Sequence, residues 1–307
     1  MGLIGVVVGS ALAVLEHPRW LFLGLAGFLV RGGLLVLLIP IVFVPTTAAV
    51  ANLLGPTLVG FVFGGVSPGF LVFVGSIVGG LAAWLILGGL AGAGLDLELI
   101  RAAAGTEDLD GLPTPASSGP GSAVIARWLA HAPTVAVILA GAAPLVDATY
   151  QELIHPGEPT LSVPVRVLLR VPLLVVGLVA AWFAGEAVGG LAIRHLAWGS
   201  SLRRSLVRAI ASLVRPSGLL LFVFLNAVVL GAIGLGWAGL AIAFDQVRIG
   251  VREGLDPIVI LLGLILLSMA WLGALWLLAV ATAWRAAAWT LEVGRRLTGR
   301  MIEPEPA

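Results

Sequence analysis

Three side chains set deep in apolar sequence are the first candidates for chemistry: Arg31, Glu186 and Asn226. An ionisable group inside a membrane-spanning stretch is costly, and it finds a counter-charge, backbone carbonyls or water. At the helical rise per residue, Arg31 lies about 16 Å beyond Trp20, Glu186 about 12 Å before Arg194, and Asn226 about 15 Å past Pro216. Similar depths predict an Arg31–Glu186 ion pair with Asn226 as its hydrogen-bonding neighbour. Such a pair is either a clamp that fixes helix register or the core of a transport site. The clamp is favoured, because a single pair with no sequel along the helices is too short for a proton relay.

Other motifs carry less. Gly65-Val66-Ser67-Pro68-Gly69 fits G-x-S-x-G, but no strand precedes it, and Pro68 reads better as the first residue of a helix. Glu152 and His155 stand at i, i+3 with Asp147 and Glu158 nearby, a mixed oxygen and nitrogen ligand set. Only one histidine is present there, and Pro156 and Pro159 interrupt any long helix, so this region is expected to be a solvated outer loop. H-E-x-x-H, the phosphate loop and the dinucleotide fingerprint do not occur. His17, His131 and His195 all fall near one face, which does not suit paired haem ligation. The chain has no cysteine and no lysine, so thiolate and Schiff-base chemistry are excluded. The expectation is no catalytic residue, no metal site and no cofactor.

The elements that position these residues follow from composition. Apolar residues make up 60% and charged residues 11%, too few charges to cover a water-soluble fold. Long continuous runs of Leu, Ala and Gly point to helices of about 20 residues and not to the alternating strands of a β-barrel. A net charge of +1 offers no basic face for nucleic acid. Six stretches are long enough to cross: 20–44, 68–95, 123–147, 165–193, 217–243 and 257–284. Residues 96–121 and 147–164 read as polar loops, 194–215 as an arginine-rich segment, and 245–256 as a mixed-charge connection. The stretch 45–67 is broken by Pro45, Asn52, Gly55 and Pro56 and reads as re-entrant or interfacial. Met1 to Glu16 is apolar but too short to span, and it lacks the basic start of a signal peptide. Gly75-x-x-x-Gly79 and Gly185-x-x-x-Gly189 are small-residue faces suited to close helix contact. Trp20, Trp128, Trp198, Trp284 and Trp289 fall where an inner interfacial belt is expected.

Arginine placement gives orientation. With 194–215 inside the cell, twelve arginines lie on or near the inner side, four lie outside, and Arg31 lies within a span. Both termini are then cytoplasmic, in the inner (plasma) membrane. Landmarks recur along the chain. Pro68, Pro164 and Pro257 open a returning helix, and Arg101, Arg194 and Arg285 close it before small residues. Short amphipathic pieces precede the first helix of each pair. In the clearest, Leu202 to Arg215, the residues Arg204, Arg208 and Arg215 line one face, while Leu202, Leu206, Ile210 and Leu213 line the other. With Arg203, these arginines are expected to meet anionic lipid headgroups or a protein partner. From Arg194-His195-Leu196-Ala197-Trp198-Gly199 through Arg208, the second half of the chain resembles uncharacterised bacterial multi-pass membrane proteins. Their hairpins end in such a turn before a basic interfacial helix; the resemblance implies no activity. The P-x-[DE]-x-x-[KR] signature of mitochondrial carriers is missing from all three repeats.

The expected fold is an all-α integral membrane protein. Six transmembrane helices form three degenerate helical hairpins with short amphipathic interfacial helices, all in one membrane domain, 1–307. The repeats are 1–105, 106–200 and 201–307. The function expected first is that of a non-catalytic accessory or scaffolding subunit packed with another membrane protein or lipid. A small-solute or lipid transporter is second, and an intramembrane enzyme third.

Overall fold

The computed structural model describes residues 3–39, 41, 67–105, 119–155 and 163–302. Regular structure among them is helical throughout, and six helices are long and apolar enough to cross a membrane. In chain order the helices are α1 (Leu3–Glu16), α2 (Pro18–Leu38), α3 (Pro68–Ala104), α4 (Pro120–Ala130), α5 (Ala132–Ile154), α6 (Val163–Arg170), α7 (Pro172–Ala197), α8 (Leu202–Val214), α9 (Pro216–Arg252) and α10 (Pro257–Ile302). Proline opens six of them, α2, α3, α4, α7, α9 and α10, at the position where a missing N–H costs nothing. Four times a short helix is joined to a long one through a single residue: His17, His131, Val171 and Arg215.

Several expected boundaries move. The stretch 123–147 divides at His131, and 165–193 divides at Val171, because Pro133 and Pro172 stand in the first turn of a new helix, where proline has no N–H to bond back into the helix before. Pro172, not Pro164, therefore opens the long helix. Residues 96–104 and 147–154, expected in loops, are helical, and α9 and α10 run on to Arg252 and Ile302. Except for Ser67, the stretch 45–67 lies outside the described residues.

The chain forms two compact units. The first comprises Met1–Val42, Gly89–Trp128 and Ala187–Ala307. In it α9 and α10 pack along each other across the turn 253–256, and α10 also packs against α1 and α2. The turn is specified locally. Gly254 has φ +63°, the left-handed geometry of a helix C-terminus, and the Leu255 N–H donates to the Gly250 carbonyl at 3.0 Å. The Asp256 carboxylate then accepts from the Ile258 N–H at 2.8 Å, which caps α10. Gly199, at φ +80°, ends α7 in the same manner: the Ser200 N–H reaches the His195 carbonyl at 3.1 Å.

Along α10 the two halves differ. Ile258, Leu261, Leu262, Met269 and Leu272 are exposed, as lipid-facing residues are, while Leu278, Ala283, Ala287, Ala288 and Val293 are buried. Trp289 joins Leu191, Leu221 and Leu225 in the core, and Trp20 is buried and stacked on His17, so neither sits in an interfacial belt. The helix is bent at one place in α2: Leu29–Gly33 forms a π-turn with Gly32 at φ 102°. Beyond it the Trp237 indole N–H donates to the Val36 carbonyl at 2.8 Å.

The second unit comprises Phe43–Gly88 and Leu129–Glu186. Here α6 packs against α5. Gly141 lies against Leu174, and Gly185 lies so close to the His131 ring that a Cβ there would meet Nδ1 at 2.5 Å. The small residue at 185 therefore accommodates an aromatic ring. Gly75 and Gly79 on α3 meet nothing described within 4 Å.

Candidate functional site

The polar centre of the first unit draws one side chain from each of six helices. Arg31 (α2) and Arg127 (α4) both donate to Oδ2 of Asp96 (α3), at 2.6 and 2.9 Å. The stem of Arg31 runs past Gly27 and Gly92; a Cβ on Gly92 would meet its Cγ at 3.1 Å. Arg194 (α7) is 7% exposed and is held by neutral oxygens, donating to the Gly190 carbonyl at 2.6 Å, the Ala286 carbonyl at 2.8 Å and Thr290 Oγ1 at 3.2 Å. Arg285 (α10) donates to Oδ1 of Asn226 (α9) at 3.1 Å, and Asn226 itself donates to the Phe222 carbonyl at 2.8 Å. Arg194 is within Coulombic reach of Asp96 and of Arg31, Arg127 and Arg285. These contacts tie α2 to α3 and α4, α7 to α10, and α10 to α9.

Arg31 meets a carboxylate that the sequence reading did not assign to it. The carboxylate on Arg31 is Asp96, a residue assigned to a polar loop on composition. Leu97, Ile100 and Ala103 follow it at helical spacing and are buried, and 96–104 contains no glycine or proline. That spacing was the available signal. Glu186 belongs to the second unit, where Oε1 lies 3.3 Å from His131 Nε2. Asn226 is buried, as expected, and its described partner is Arg285.

The Glu152 region is corrected. Glu152 is 1% exposed; Arg166 Nε donates to Oε1 at 2.5 Å, and Arg170 approaches Oε2 at 3.0 Å. Arg170 also donates to the His155 carbonyl at 3.1 Å, joining the end of α5 to α6. A carboxylate so enclosed by two guanidinium groups is a structural ion pair and not a solvated loop residue. Among the described residues no group of three or more His, Cys, Asp or Glu comes together to hold a metal.

On α8 the two expected faces become three. Ser205, Ala209 and Ser212 are buried against the protein, where small side chains permit close approach, and Leu202, Leu206 and Leu213 flank them against the core. Val207, Ile210 and Val214 point outward. Arg203, Arg204 and Arg215 are exposed, and Arg208 is half-buried, its Nη1 donating to Ser200 Oγ at 2.9 Å.

No protein-family model matches the chain, and no curated protein or solved structure matches it significantly.

Proposed function

We propose that the chain is a non-catalytic multi-pass membrane protein acting as an accessory or scaffolding subunit, its polar centre serving as a clamp. One observation carries this reading: the side chains of the polar centre, Arg31, Asp96, Arg127, Arg194, Asn226 and Arg285, meet partners on neighbouring helices of the same chain. Function then falls to the outer surfaces. The membrane half of α3 is the surface best suited to a partner. Its described side chains from Ser67 to Leu87 are exposed, and the Gly75–Gly79 edge permits close backbone approach. Because the chain has no cysteine, Gly79→Cys gives a unique handle for crosslinking in native membranes. A discrete protein adduct is expected from position 79 and none from Leu262→Cys on the exposed part of α10. Adducts of equal yield from both positions, or none from either, would rule the partner out.

A transporter of small solutes or lipids is the second reading. It is favoured by the break in α2 at Gly32, next to Arg31, since interrupted helices line transport sites. Replacing both Arg31 and Asp96 by leucine separates the two: a clamp keeps function if the fold survives, whereas a transport site loses it.

The finer architecture belongs to the same proposal. Three degenerate hairpins, 1–105, 106–200 and 201–307, are supported by the short helix, one-residue joint and long helix that recur at His17, His131 and Arg215. The inner membrane with both termini cytoplasmic is supported by the arginine distribution. Anionic lipid is the partner inferred for the exposed Arg203 and Arg204.

A further inference from the structure

A small cavity of about 40 Å³ lies where the end of α7, the polar flank of α8 and the last turns of α10 meet. His195, Arg208, Ser212, Arg215 and Arg296 line it, with Ala211 and Leu297 as apolar wall. Its walls thus carry three guanidinium groups and no carboxylate. The nearest acidic neighbour on α10 is already engaged: Glu292 accepts from Arg295 through Oε2 and from Arg296 through Oε1, at 2.8 and 2.6 Å.

The donors are held in place. Arg296 is fixed by Glu292 through Nε and Nη2, and its Nη2 also approaches Ser217 Oγ at 3.4 Å. Its remaining nitrogen, Nη1, is buried and has no hydrogen-bond acceptor among the described residues. A buried guanidinium N–H left this way is costly unless something brings an oxygen to it. Arg208 is anchored through Nη1 to Ser200, which leaves its other donors for the cavity. Arg215 is the extended joint residue between α8 and α9, a backbone position fixed by the two helices it links.

We propose that this cavity is a phosphate site, filled by the headgroup phosphate of an anionic membrane lipid. Planar guanidinium donors match tetrahedral phosphate oxygens, and several converging on one point bind phosphate more tightly than they bind water. The volume accommodates a group of a few heavy atoms and not a whole headgroup. A lipid is favoured over a free ion because the same helix shows Val207, Ile210 and Val214 to the outside, at 59, 52 and 77% exposure. A phosphate on the arginine flank of α8 would have its acyl chains beside that apolar face. Arg248 and Arg252, exposed on the last turns of α9, do not line the cavity and serve as internal controls. The inference rests on the chain lying in a membrane and not on the partner proposed for α3.

The test uses the full chain in a neutral detergent and follows the thermal unfolding midpoint. The probes are dioctanoyl phosphatidylglycerol, dioctanoyl phosphatidylcholine and inorganic phosphate. Phosphatidylglycerol should raise the midpoint in a saturable manner. Phosphatidylcholine should not, because the arginines repel its choline cation. The pair Arg208→Gln with Arg215→Gln should weaken the apparent affinity about tenfold or more. Arg248→Gln with Arg252→Gln makes the same charge change outside the cavity and should bind like the parent. Ala211→Leu, which narrows the cavity at an exposed position without altering charge, should also lose the shift. If inorganic phosphate alone gives the whole shift, the phosphate chemistry stands and the lipid source is overturned. Equal loss in the two arginine pairs, or equal shifts with both lipids, would reduce the effect to unspecific surface charge and overturn the site.

Discussion

Arg194 and Asp96 show two ways of burying an ionised group. Arg194 is satisfied by two carbonyls and a hydroxyl on α7 and α10, so its burial depends on backbone geometry. Asp96 depends on charge, since two arginines share its Oδ2. Removing the shared partner should therefore cost more than removing either donor. Asp96→Leu is expected to lower stability by about 3–5 kcal/mol, because it removes the carboxylate that two guanidinium groups share. Arg31→Leu leaves Arg127 in place and should cost about 1–3 kcal/mol. The two losses should fail to add by about 0.5–3 kcal/mol in the double variant, as residues in one network do. Unfolding in mixed dodecyl maltoside and sodium dodecyl sulfate measures all three. Strict additivity would mean that the contact carries no coupling energy. The need of Arg31 for a counter-charge was legible in the sequence, because its surroundings are apolar. The identity of that charge was not: depth counted along separate helices ignores which helices are neighbours, and the acidic composition around Asp96 concealed its helical spacing.

At the level of elements, helix type and approximate position were legible from long apolar runs, and the turn at Gly254 from its mixed-charge surroundings. The single-residue breaks at His131 and Val171 were not, because each divides a stretch whose apolar content continues on both sides. They follow from proline at Pro133 and Pro172, a local backbone rule that hydropathy does not register. Close approach between helices was legible only as glycine content, and the glycines divide into two kinds. A Cβ on Gly24 would lie 2.7 Å from the backbone nitrogen of Ala283 and 2.9 Å from its Cα, so α2 and α10 would have to separate. Gly75 faces open space among the described residues. Gly24→Ala is expected to destabilise by about 1–3 kcal/mol. Gly75→Ala should be neutral or stabilise by up to about 1 kcal/mol, since alanine is the better helix former. The same unfolding assay compares them. Equal effects would show that α2 and α10 are not in backbone contact.

For the whole molecule, orientation is the first quantity to fix. A reporter fused after Ala307 is expected to read out as cytoplasmic, and a periplasmic signal would invert every assignment of inner and outer side. At 46 residues α10 is about 69 Å long, more than twice the roughly 30 Å hydrocarbon core. Its buried second half is where the chain closes on itself. The Trp284 indole donates to the Val7 carbonyl and to Ser10 Oγ, both at 3.0 Å, across 277 and 274 positions of sequence. In synthesis α1 thus waits for α10. At elongation rates of roughly 5–20 residues per second, the delay is about 15–55 s. During that interval α1 and α2 are made but lack α10, and Gly24 has no Ala283 to meet. Synthesis halted at the 253–256 turn should leave a chain whose earlier helices are inserted yet remain open to membrane proteases, so its lifetime in the cell reports how long the nascent protein survives without α10.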